Sequence, residues 1–248
     1  MTAGLAPATL RLEGLRRADF DALSFDVYGT ILDWEPEIVR FLDRFLLREG
    51  SPLRGRDLLL SYDRLRQPLQ ARRPALPYPE VLRETLAALA AETGVTARPG
   101  DLEEFAGIAA THHPFPDSVA ALAEFRGMGL TLAALSNIDE ASFARAMQAA
   151  GIRFDVVVTA ERVGAYKPDL PHFRTALDDL AQRGIPASRV LHVAQSRRAD
   201  IVPANALGLT CVWINRPGHV FGRSGAETAH PDYEAPSLAA LAGHLSAT

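Results

Sequence analysis

Two carboxylates, one lysine, several hydroxyls and a side-chain amide stand just after short apolar runs of this chain. Asp26, Val27, Tyr28, Gly29 and Thr30 follow the run Ala22–Phe25, and Ser136 and Asn137 follow Leu130–Leu135. A loop after Phe154–Thr159 delivers Tyr166, Lys167, Pro168 and Asp169, while Gln195, Ser196 and Asp200 follow Val190–Ala194. If those runs are strands of an open α/β sheet, ligands gather beyond their carboxyl ends, and these side chains converge on one edge. Together they form the inventory for covalent catalysis by a carboxylate nucleophile. Lys167 is also the single lysine among 26 basic residues, the rest being arginine. A coding bias toward arginine explains the others. The exception marks a place where a compact charge on a flexible stem serves and a planar fork does not.

The elements that position these residues are legible as a rhythm. The four runs, with Thr210–Ile214, are each four to six residues long without polar alternation, as expected of strands buried on both faces. Amphipathic stretches lie between them: Ser118–Phe125, Glu140–Ala149, Leu170–Ala181 and Ile201–Leu207. Such alternation predicts a doubly wound parallel sheet with helices on both faces. The interval from Asp33 to Pro116 departs from this. It reads as helices over Glu37–Arg48, Arg56–Arg66, Tyr78–Glu92 and Asp101–Thr111, with no strand. Trp34-Glu35-Pro36 and Pro114-Phe115-Pro116 bound it as expected hinges. The α/β domain is therefore expected over 18–32 and 117–248, with a helical domain over 33–116 inserted after the first strand. Arg216–Ala229 reads as a loop before a last helix, Ser237–Leu245.

Composition excludes several classes. The 248 residues are 48% hydrophobic and 23% charged, enough apolar surface to offset ordering entropy, so disorder is excluded. A net charge of −4 argues against a dedicated nucleic-acid binder. Cys211 is the single cysteine, so neither an intramolecular disulfide nor a cysteine-based zinc site is expected. Met1 to Arg17 lacks the pattern of a signal peptide and no 18-residue apolar run occurs, so the expectation is a soluble cytoplasmic protein without a membrane partner. His112 and His113 point in different directions and have no third ligand near in sequence, so they read as hinge residues and not as a metal site. His192 and Trp213 read as packing within buried strands.

In order and spacing, the four segments resemble the four motifs of the haloacid dehalogenase superfamily. The resemblance spans Phe20 to Leu245, with a helical cap after the first motif, and implies a Rossmann-like core. Phe25-Asp26-Val27-Tyr28-Gly29-Thr30 is most similar to the (S)-2-haloacid dehalogenases. The resemblance implies that Asp26 is the nucleophile, that Thr30 and Ser136 bond to its carboxylate, that Lys167 holds it charged, and that Asp200 is the acid of the fourth motif. It also implies dimerisation through the cap. Phosphatases of the superfamily carry a second Asp where Tyr28 stands and an Asp where Gln195 stands. An alkoxide leaving group needs the first as a general acid, whereas halide does not. A divalent metal prefers the second as an anionic ligand.

The mechanism this implies needs no metal or cofactor. Asp26 displaces halide from carbon 2 of a short 2-haloalkanoate, and water positioned by Asp200 and Ser196 hydrolyses the resulting ester. The small-molecule carboxylate is expected on the Val27 and Tyr28 amides and Ser136, a nest-like anion site. Asn137 is expected to donate to the halide, with Tyr28 as an aromatic wall and a hydroxyl beside the reacting carbon. The cap segment Ser61-Tyr62-Asp63-Arg64-Leu65-Arg66 departs from the family's aromatic–arginine pair. Arg64, shifted by one residue, is the candidate halide-binding cation, with Arg66, Arg72 and Arg73 as competitors and a solvated helix face as the commoner role for such an arginine. Alternative readings are a magnesium phosphatase acting on a small phosphoester and a binding protein that keeps the fold without turnover.

Overall fold

The computed structural model describes residues 10–219 and 228–248. Part of the expected loop (220–227) and part of the N-terminal stretch (1–9) lie outside the described residues. In chain order, β1 (Ala22–Phe25) and β2 (Leu32–Asp33) come first. Helices α1 (Glu35–Arg48), α2 (Leu59–Gln70), α3 (Tyr78–Thr93) and α4 (Pro99–Ala106) follow, then β3 (His113–Pro114). The remainder alternates: α5 (Ser118–Gly127), β4 (Thr131–Ser136), α6 (Glu140–Ala150), β5 (Val156–Thr159), a single turn α7 (Ala160–Val163) and α8 (Pro171–Ala181). The chain ends with β6 (Val190–Ala194), α9 (Val202–Ala206), β7 (Thr210–Ile214), β8 (Tyr233–Ala235) and α10 (Leu238–Ser246).

Six strands form one parallel sheet in the order β5-β4-β1-β6-β7-β8. Successive side chains of a strand point to opposite faces. Leu23 and Phe25 therefore join one apolar cluster with Phe125, Leu241 and Leu245, while Ala22 faces a second cluster with Phe173, Leu180 and Ile201. Helices cover both faces, as the buried runs require. The first cluster continues into the inserted helices through Trp34, Phe41, Tyr62, Leu82 and Phe105. β1 pairs with β4 on one side and β6 on the other, so the strand order reverses at its carboxyl end. That crevice is where an open α/β sheet accepts a ligand.

The ends of the inserted segment differ from the expectation. The segment was expected to hold no strand, yet β2 and β3 form an antiparallel pair, Leu32 opposite Pro114 and Asp33 opposite His113. Two residues are too few to show a period, so the pair is invisible in the pattern. Trp34-Glu35-Pro36 forms a helix start: Trp34 is the N-cap of α1 and Pro36 sits in its first turn, where a missing N–H costs nothing. A sixth strand, β8, was also missed; its three residues pair parallel to β7 at the sheet edge. The helix expected over Ile201–Leu207 starts earlier, as a π turn over Arg197–Ile201.

Candidate active site

Asp26 is the first residue past β1, and its N–H still donates to the Val193 carbonyl at 3.1 Å, so its position is fixed by the sheet. The residue is 7% exposed. Thr30 Oγ1 donates to Asp26 Oδ2 at 2.8 Å and accepts from the Gln195 N–H at 2.8 Å. Because the amide fills the acceptor side of the hydroxyl, its proton is directed at Asp26. The turn between them needs Gly29: its φ is +100°, and a Cβ there would lie 2.8 Å from Gln195 Oε1.

Lys167 Nζ uses all three of its donors. They reach Asp26 Oδ1 at 2.9 Å, Asp200 Oδ1 at 2.6 Å and the Leu135 carbonyl at 2.7 Å. Its main chain is gripped by Asn137, whose Oδ1 accepts from the Lys167 N–H at 2.7 Å and whose Nδ2 donates to the Lys167 carbonyl at 3.0 Å. A tetrahedral ammonium fits three divergent acceptors, as a planar guanidinium would not. Burial opposes the charge on Lys167, but Asp200 and Asp26 hold its pKa above the usual lysine range. Burial lifts the Asp26 carboxyl above its ordinary value, with Lys167 pulling against it and Asp200 adding repulsion. Asp200 is buried more deeply still, yet Lys167 and His192 hold its pKa below the ordinary value. His192 Nε2 lies 3.4 Å from Asp200 Oδ1, and its Nδ1 meets Ser24 Oγ at 2.9 Å.

A cavity opens above these groups, between the strand ends and the inserted helices. Asp26, Ser136, Asn137, Lys167, Ser196 and Asp200 line it from the sheet side; Trp34, Asp63, Arg66, Gln70, Tyr78 and His112 line it from the segment after β1. Tyr28, Gln195, Arg198 and Ala199 complete the wall. Thr30 and Val27 stand behind it, both fully buried. Several expected roles change with these positions. Ser136 Oγ does not bond to Asp26; it is buried with no hydrogen-bond partner among the described residues. The Tyr28 hydroxyl donates to the Ala109 carbonyl at 2.9 Å, so the ring alone faces the cavity. One amide hydrogen of Asn137 is taken by the Lys167 carbonyl, leaving the other. Ser196 Oγ accepts from the Ala199 N–H and caps the π turn. Asp200 Oδ2 is buried without a partner among the described residues.

Arg64 is not at the cavity. It sits on the exposed face of α2, where Nη2 pairs with Glu92 at 2.6 Å. Two residues along a helix turn the side chain by about 200°, and Arg66 is the arginine that faces inward. Its guanidinium lies 5.2 Å from the Trp34 ring and 5.3 Å from Tyr62, and Nη2 donates to Asp63 Oδ1 at 2.8 Å. Sequence reasoning also missed Trp34, Gln70, Tyr78, Arg198 and His112 as cavity residues; no spacing marks them. His112 meets the Tyr28 ring edge-on at 5.7 Å, and burial pushes its pKa down to about 3, so it is neutral.

A buried lysine shared by two carboxylates at the reversal point of a parallel sheet, beneath an inserted helical segment, defines an α/β enzyme site. The chain belongs to the haloacid dehalogenase-like hydrolase family, whose family model matches residues 20–208. It is 30% identical over 235 residues to the (S)-2-haloacid dehalogenase of Pseudomonas sp. (strain YL), covering 88% of this chain and 91% of that protein. A crystal structure of an L-2-haloacid dehalogenase is similar with a TM-score of 0.76 and 28% identity, over 92% of this chain and 100% of that one. Phosphoglycolate phosphatase of Yersinia pestis is 28% identical over 212 residues, 85% of this chain and 86% of that protein.

Proposed function

We propose that the protein hydrolyses short (S)-2-haloalkanoic acids to 2-hydroxy acids through an ester on Asp26. The observation that carries this reading is the pairing of a nucleophile-ready carboxylate with the lack of an acid for an alkoxide. Asp26 is held by Lys167 at 2.9 Å and Thr30 at 2.8 Å, while Tyr28, two residues on, has its hydroxyl tied to Ala109. Halide leaves as the anion of a strong acid and needs no proton. An Asp26 oxygen attacks carbon 2, the carbon–halogen bond breaks with its electron pair on the halide, and the configuration inverts. Ester formation removes the charge from Asp26 while Lys167 stays paired with Asp200. Water then attacks the Asp26 acyl carbon, giving its proton toward the unpartnered Oδ2 of Asp200, with the Ser196 hydroxyl nearby. The substrate carboxylate takes the Ser136 hydroxyl and the Val27 and Tyr28 amides. The second amide hydrogen of Asn137 meets the halide.

Magnesium fits this donor set poorly. The Lys167 ammonium already stands between Asp26 and Asp200, and Gln195 supplies a neutral oxygen where a hard cation prefers an anionic one. The reading is therefore metal-independent. It also takes 33–116 as a cap domain on a core of 18–32 and 117–248, and the family likeness extends it to a cytoplasmic homodimer. The likeness to phosphoglycolate phosphatase favours one second reading, a magnesium phosphatase. Halide release from each enantiomer of 2-chloropropionate in EDTA, beside p-nitrophenyl phosphate with magnesium, separates the two. Halide from the S enantiomer alone is expected, with a loss of about 10⁴-fold or more in Asp26→Asn before any deamidation restores the carboxylate. Magnesium-dependent phosphate release without halide would replace this reading with the second.

A further inference from the structure

The cavity carries more hydrogen-bond donors than a monocarboxylate can use, and they lie in two groups. One is the group at Asp26: the Ser136 hydroxyl, the two amides and Asn137. The other comes from α2 and the π turn. Arg66 and Gln70 are four residues apart on α2, so they share one helix face. Arg66 Nε and Gln70 Nε2 are both buried with no hydrogen-bond partner among the described residues, and Gln70 is only 5% exposed. A buried donor left without an acceptor costs about 1–3 kcal/mol, so two unpaired donors here point to a missing acceptor.

Arg198 supplies the charge. Its neighbour Arg197 serves the fold, stacking 5.3 Å from the Trp213 ring and donating to the Ala229 carbonyl. Arg198 is half-buried at the cavity and makes no hydrogen bond or ion pair among the described residues. The nearby carboxylate of Asp63 does not serve it, because Oδ1 is taken by Arg66 and Oδ2 by Gln67 Nε2, each at 2.8 Å. Lys167 is matched by Asp26 and Asp200, and Arg66 by Asp63. Arg198 therefore has no direct ion-pair partner among the described residues, Asp63 and Asp200 acting on it only from a distance, and it stands beside unsatisfied donors that no part of the monoacid occupies.

We propose that Arg198, with Gln70 and Arg66 Nε, binds a second anionic group of the substrate, so that the enzyme selects 2-halo dicarboxylic acids over 2-halo monocarboxylic acids. The inference rests on the dehalogenase reading and names its substrate class. The reaction balances as before: Asp26 forms the ester at carbon 2, halide departs with the bonding pair, and water returns Asp26 and releases a 2-hydroxy diacid and one proton. The distal carboxylate stays intact on Arg198.

The test compares kcat/KM for (S)-2-chlorosuccinate and (S)-2-chloropropionate in the wild type and in Arg198→Met, and measures succinate and propionate binding by calorimetry in both proteins. Wild type is expected to prefer the diacid, and Arg198→Met to lower the diacid-to-monoacid ratio by about 100-fold, the scale of one lost buried charge partner. Arg198→Lys is expected to restore part of the ratio. A ratio unchanged in Arg198→Met overturns the proposal, whether both substrates fall together or neither does. Failure of the dehalogenase reading looks different: no halide from either substrate. Succinate would then still bind more tightly than propionate, dependent on Arg198, if the second anion site exists; equal binding overturns that site as well.

Discussion

Lys167 is a buried cation whose removal would strand two carboxylates. Asp26 and Asp200 both bond to its Nζ, and Asp200 is fully buried. In Lys167→Met they face each other without a counter-charge, so a loss of about 3–5 kcal/mol is expected at neutral pH. Urea unfolding should show that loss shrinking as the pH falls and the carboxylates take up protons. The same charges set the pH profile of turnover. In the proposed mechanism Asp26 must be ionised to attack, and burial raises its pKa, so kcat/KM should rise with pH through a limb above the ordinary carboxylate range. Lys167 must stay protonated, and its pKa is raised by the same carboxylates. The alkaline limb is therefore expected above the usual lysine value, and halide release across the range measures both. An acid limb at or below the ordinary carboxylate value would remove Asp26 as the titrating nucleophile.

Single elements translate those charges into positions. The turn after β1 brings Thr30 back onto Asp26 in four residues, which Gly29 permits at φ +100°. Gly29→Ala places a methyl 2.8 Å from Gln195 Oε1 on a strained backbone, at an expected cost of about 1–3 kcal/mol. Thermal unfolding would measure this, and Gln195 would be displaced with it. The π turn Arg197–Ile201 does comparable work after β6: an extra residue in the helical ladder lets Ser196 cap Ala199 while Asp200 turns inward to Lys167. Such turns recur at functional sites. Neither turn has a sequence period, yet both were partly legible through glycine, serine and aspartate placed directly after apolar runs.

Across the whole molecule, five of the six sheet strands were legible because parallel strands are buried on both faces and read as unbroken apolar runs. β8 was not, since its three residues gain their place from β7 and from no pattern of their own. The sheet side of the site was legible for a related reason: strand ends fix where the following residues go, so Asp26, Ser136, Lys167 and Asp200 were found together. The opposing wall was not legible. Which side of α2 faces the cavity depends on how it packs against α3 and the Trp34–Tyr62 pair, and choosing Arg64 over Arg66 put the cation on the exposed side. His112 shows the same limit, because it is buried against the Tyr28 ring, a residue far from it in sequence.

The lone lysine also has a consequence for handling the folded protein. With Lys167 2% exposed and its nitrogen fully engaged, no lysine amine is offered to acylating reagents or to aldehyde fixatives. Modification of that nitrogen therefore reports the fraction of molecules in which the site has come apart, a built-in tag for opening that requires no engineered label.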